Sequence, residues 1–97
     1  MSEKLTVVAK IMAKAGKGEL VKQELLKMID LTRAEDGCIN YDLHQDNTNE
    51  NLFYFHENWE SKEHLGAHLK SAHIAAYLKA TDGAVEEFVI TEMTQIG

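Results

Sequence analysis

Proline is absent from this chain of 97 residues, and cysteine occurs once, at Cys38. A lone cysteine cannot close an intrachain disulfide, so the fold does not depend on an oxidising compartment. Without proline, glycine and Asx residues must mark every turn. Basic residues are scarce as well: ten Lys and Arg against sixteen Asp and Glu leave a net charge of −6, and no stretch gathers Lys and Arg together. A nucleic-acid footprint requires a basic patch, and so does an anionic membrane surface, so neither partner is expected. No apolar run is long enough to span a bilayer, and MSEKLTVVAK lacks the apolar core of a secretion signal. The cytoplasm is the expected location. No Gly-rich phosphate loop, Ser-His-Asp signature or dinucleotide fingerprint occurs.

What remains suits one domain over residues 1–97, with 44% hydrophobic residues to build a core. A chain of this size buries only about two-thirds of the surface its unfolded form exposes, so a partner copy would add a useful buried face. Leu5 to Met12 alternates with apolar groups on both sides, which predicts a strand covered on two faces. From Lys17 to Arg33, Leu20, Val21, Leu25, Met28, Ile29 and Leu31 recur at helical spacing. Glu35-Asp36-Gly37 is a turn. Cys38 to Gln45 is a second strand, with Ile39, Tyr41 and Leu43 on one face and Cys38, Asn40, Asp42 and His44 on the other. A polar loop, Asp46 to Asn51, leads into a third strand, Leu52 to Trp59. Ser61 is placed to cap a helix from Lys62 to Leu69, a break at residues 71–73 precedes a helical piece from Ile74 to Ala80, and Val85 to Ile96 forms a fourth strand.

The order βαββαβ predicts an α+β, ferredoxin-like fold, an antiparallel sheet with both helices on one face. Its other face would lie bare, and apolar residues on it predict a homodimer that presses two sheets together.

The densest collection of reactive groups runs from Phe53 to His73, FYFHENWESKEHLGAHLKSAH, with the single Trp and four of the five histidines. Period two puts Phe53, Phe55, Glu57 and Trp59 on one strand face. Trp59 suits either core packing, its indole N–H bonded to a carbonyl, or the wall of a ligand pocket. Glu57 among aromatics must be paired or raised in pKa. His64 and His68 stand four apart on a helix face and, with His73 or Glu57, number enough ligands for a metal. The pattern lacks the glutamate of a zinc-protease helix, and no metal is expected. Proton transfer by a neutral imidazole is the use that suits His68, at the apolar border of its helix. His73 either ends a helix or reaches the pocket, and Tyr77 faces inward.

Three segments together resemble the antibiotic biosynthesis monooxygenase family: LTVVAKIMAKAGK at the start, EDGCINYDLHQD at the second strand, and FYFHENWESKEHLGAHLKSAHIAAY. The resemblance covers nearly the whole chain and is nearest to the quinol monooxygenase branch. It implies a dimeric α+β barrel with one pocket per subunit. It implies oxidation of a small quinol or phenol by molecular oxygen without flavin, heme or metal. It also implies Trp59, His68 and His73 as catalytic residues, with Trp59 stacked on the substrate ring; Phe53, Phe55, Glu57, His64 and Tyr77 are the expected substrate contacts. Polyketide-quinone members carry an Asn where Phe55 stands, which points to a different substrate. Heme-degrading members carry an Asn on the first strand that LTVVAKIM lacks. Two other readings use the same pocket: an isomerase or processing enzyme for a small carbonyl signal, and a non-catalytic dimeric binder of a hydrophobic metabolite.

Overall fold

Strict alternation in LTVVAKIMA produces β1 (Leu5–Ala13), whose odd positions Val7, Ala9, Ile11 and Ala13 are all buried. In the computed structural model, which describes residues 4–97, it is followed by α1 (Gly18–Lys27), α2 (Ile29–Arg33), β2 (Cys38–Gln45), β3 (Leu52–Trp59), α3 (Lys62–Leu69), α4 (Ala72–Ala80) and β4 (Val85–Met93). The strands form one antiparallel sheet in the order β2-β3-β1-β4. This is the ferredoxin-like α+β arrangement, with the two strands richest in apolar residues at the centre.

Register divides the sheet into two faces. Val7 pairs with Glu57, Ala9 with Phe55 and Ile11 with Phe53, and on the other edge of β1 Ala9 pairs with Ile90 and Ile11 with Phe88. These residues form the inner face, joined by Val21 and Leu25 of α1, Leu65 of α3 and Tyr77 of α4 in one core. The outer face carries Val8, Lys10 and Met12 of β1 beside His56, Tyr54 and Leu52 of β3 and Thr91, Val89 and Glu87 of β4. Val89 is 42% exposed and Met93 38%.

Three expectations are corrected. The helix expected over 17–33 is two pieces meeting at Met28; Leu20 and Leu31 are exposed, and Thr32 is fully buried in their stead. On β2 the register slips between Cys38 and Asn40, so Cys38 opposite Trp59 packs against the core while Ile39, 52% exposed, bulges outward. The last helix begins at Ala72, which puts His73 in its first turn rather than at a helix end. The expected cap is present: the Ser61 hydroxyl accepts from the His64 backbone N–H at 3.3 Å. At Gly37, before β2, φ is +84°, and the His64 ring lies where a side chain would begin, so both conformation and space require glycine.

Candidate functional site

A cavity of about 130 Å³ lies between the inner sheet face and the helices. Val7, Ala9, Ile11, Leu25 and Met28 form its apolar floor, Phe55, Glu57 and Tyr41 come from β3 and β2, and His68 and Tyr77 come from α3 and α4. Tyr41 stacks on Phe55 with ring centroids 4.2 Å apart. The strands position these rings by the same alternation that builds the core, so the cavity is a gap in the core that opens beside the half-exposed Leu69, Leu78 and Phe88.

Behind one wall lies a partly buried polar cluster. Glu35, in the turn between α2 and β2, places one oxygen (Oε2) 2.7 Å from His68 Nδ1 and 2.8 Å from His73 Nε2. The Thr32 hydroxyl stands 3.1 Å from His73 Nε2, and the Ser71 hydroxyl, the cap of α4, stands 3.4 Å from it. An ionised carboxylate only accepts, so both imidazole nitrogens must carry protons toward it. With Nδ1 protonated, neutral His68 keeps Nε2 as a free base, the tautomer logic that a carboxylate imposes on a catalytic histidine. The His68 ring lies against Trp59 (centroids 4.8 Å) and edge-on to Tyr41 (5.5 Å). Trp59, with no exposed surface, donates its indole N–H to Glu57 Oε1 at 2.9 Å. Trp59 thus ties the carboxyl of β3 to the imidazole of α3.

Burial shapes the acid–base properties. It pushes the Glu57 carboxyl up to about 7, opposed by the Trp59 hydrogen bond and reinforced by Glu35. Burial also lowers His68 below its usual 6.5, while the hydrogen bond and charge of Glu35 oppose the fall and His73 adds to it. Near neutrality His68 is therefore mostly a base, and Glu57 divides between acid and carboxylate. Tyr41 and Tyr77 are both raised, chiefly by burial, and stay phenolic. Burial likewise pushes Cys38 up to about 11, which removes it as a thiolate nucleophile.

Of the expected site residues, His68, Phe55, Glu57 and Tyr77 line the cavity. Trp59 does not; it backs His68 instead of offering its face to a ligand. His73 also lies outside and touches the site through Glu35. Phe53 is buried toward the far end of β3, beside Lys22, Leu26 and Gln45. His64 turns away: its Nδ1 meets the Ser61 hydroxyl at 2.7 Å and its Nε2 stands 3.5 Å from Asp36. Sequence reasoning missed Glu35 and Tyr41. Glu35 reads as part of a turn, and its partners lie 33 and 38 positions away. Tyr41 could have been found, because it shares a strand face with Leu43.

Glu35, His68 and His73 offer three ligand atoms within 4.8 Å of one another, so a divalent metal has a potential donor set here. In this structure they close on one another at hydrogen-bonding distance around a single oxygen. A metal would need both nitrogens stripped of protons and the carboxylate swung aside. The cluster is held by hydrogen bonds.

An antiparallel ferredoxin-like sheet with a partly buried histidine–carboxylate cluster beside a core cavity defines a class of small α+β proteins with a pocket between sheet and helices. Within it, the family model for antibiotic biosynthesis monooxygenases matches residues 4–80, and the chain belongs to that family. It is similar to the probable quinol monooxygenase YgiN of Escherichia coli K12, 31% identical over 96 residues that cover 89% of this chain and 92% of that protein. An uncharacterized Synechocystis protein, sll1783, is 31% identical over 51 residues, 53% of this chain and 35% of its own length. Among solved structures, PA3566 from Pseudomonas aeruginosa superposes with a TM-score of 0.95 at 32% identity, covering 100% of this chain and 98% of that one. A putative antibiotic biosynthesis monooxygenase from Nitrosomonas europaea gives 0.90 at 15% identity, covering 99% and 93%, and at that identity it speaks for the fold alone.

Proposed function

We propose that this protein is a cofactor-independent monooxygenase that oxidises a small quinol or phenol with molecular oxygen. The observation that carries the reading is His68, buried and lining a largely apolar cavity, with its Nδ1 held by the partly buried Glu35 carboxylate. An electron-rich aromatic becomes a good one-electron donor to oxygen once its hydroxyl proton is taken, so the protein must bind the ring, accept that proton and exclude water. His68 Nε2 takes the proton, Glu35 stabilises the imidazolium, and His73 completes the hydrogen bonding of Glu35. Trp59 sets the tilt of His68 and the position of Glu57, while Phe55, Tyr41 and Tyr77 bound the ring.

The quinol anion passes one electron to oxygen. The resulting radical pair joins as a ring hydroperoxide, and loss of water leaves a hydroxylated quinone. One oxygen atom enters the product and the other leaves as water, so quinol and oxygen are consumed one to one. Similarity to the probable quinol monooxygenase YgiN supports the substrate class. The outer sheet face, with Val8, Met12, Tyr54, Val89 and Met93, supports a homodimer formed through it. An oxygen electrode with a panel of substituted hydroquinones tests the reading. Uptake above the buffer rate that falls in His68→Asn is expected; uptake at background with every quinol would overturn it.

A further inference from the structure

The cavity also specifies what kind of molecule fits, an inference that rests on the proposed oxygenation only for the identity of the reacting hydroxyl. Its volume, about 130 Å³, is close to the roughly 150 Å³ of an apolar cavity that takes up one benzene molecule. One six-membered ring fills it, and a fused second ring would have to displace core side chains. Glu57 and His68 each contact Trp59, which puts two of the lining hydrogen-bonding groups at that end. Three other lining residues are half-exposed and apolar: Leu69 at 40%, Leu78 at 54% and Phe88 at 48%, so they mark the mouth. No Lys or Arg is among the described residues that line the cavity. An anionic ligand would meet no counter-charge and would face Glu57, a desolvated arrangement that ions avoid.

We propose that the ligand is a single-ring phenol or hydroquinone, uncharged, bearing a short alkyl substituent that leaves through the Leu69–Leu78–Phe88 mouth, with its hydroxyl between His68 and Glu57. Phosphorylated and carboxylated ligands are excluded, and with them the phosphorylated carbonyl substrates of an isomerase.

Anaerobic calorimetric titration, which reads binding without turnover, tests this with four phenols: 4-ethylphenol, 4-butylphenol, 4-(4-hydroxyphenyl)butanoate and 2-naphthol. Burial of each added methylene at the mouth should tighten binding by up to about fourfold, hence by up to about 15-fold between the ethyl and butyl compounds. The butanoate and the naphthol should each bind at least about tenfold more weakly than 4-butylphenol. Leu78→Lys, at an exposed helix position, should restore most of the butanoate's affinity by placing a cation at the mouth. Equal or tighter binding of the butanoate or the naphthol to the unmodified protein, no gain from chain length, or no gain of the butanoate in Leu78→Lys, would overturn the inference. Binding in the expected order without oxygen uptake would leave the ligand class standing and remove the oxygenase reading.

Discussion

Replacing Glu57 by Gln should make the protein more stable, and increasingly so as pH rises. The amide keeps an oxygen to accept the Trp59 N–H, and it never ionises. In the native protein, raising the carboxyl from 4.5 to about 7 favours its protonated form by roughly 3 kcal/mol, at about 1.4 kcal/mol per pH unit. Between these two values the folded protein holds a proton that the unfolded chain has released. The contribution of Glu57 is therefore complete below about pH 4.5 and is lost as pH climbs through 7. Glu57→Gln escapes that loss, so the stability difference between variant and wild type should grow by up to roughly 3 kcal/mol from pH 5 to pH 8.5. For a chain of this length that corresponds to a change in the Tm difference on the order of 10 °C or more. Urea unfolding at the two pH values reads the same quantity as a shift in midpoint at constant slope. His68 titrates in both proteins and cancels to first order. A difference that stays constant with pH would show that Glu57 is not desolvated in the fold, and the acid–base reasoning about the cavity would fail with it.

Other consequences are independent. His68→Asn should lower kcat about 10²- to 10⁴-fold, the usual worth of a general base, and should abolish the acid limb of the pH–rate profile. That limb should lie below pH 6.5 in the wild type, because burial lowers His68. Glu35→Gln should move the limb further down, since the carboxylate raises His68, and should cost kcat between about tenfold and 10⁴-fold through loss of tautomer control. An unmoved limb would remove Glu35 from the mechanism. Val89→Asp on the outer face should shift sedimentation at micromolar concentration from dimer to monomer; a wild-type monomer would contradict the proposed assembly. Prolonged dialysis against a strong chelator should leave turnover unchanged, and a loss restored by a divalent metal would assign the Glu35–His68–His73 cluster to metal binding instead.

Much of the fold was legible because its signals are local. Alternation in LTVVAKIMA and LFYFHENW marks both central strands and says which side chains share a face, and Ser61 announces the start of α3. The split at Met28 was not legible, since apolar spacing continues through it from Leu25 to Ile29. The bulge at Ile39 inverts the face assignment of Cys38, and alternation cannot show where a register slips. In the candidate site, β3 brought Phe55 and Glu57 to the right face at once. His64 and His68 look equivalent by four-residue spacing, yet Ser61 and Asp36 draw one away while Glu35 holds the other. Glu35 reaches the histidines only because the chain folds back, and no local pattern records that.

The measurement that bears most directly on the central claim is turnover of a single-ring alkylhydroquinone by metal-free protein under ¹⁸O-labelled oxygen. One labelled atom in each quinone product, the other in water, and one oxygen consumed per quinol are expected. Unlabelled product, or turnover that appears only when flavin or metal is added, would contradict it.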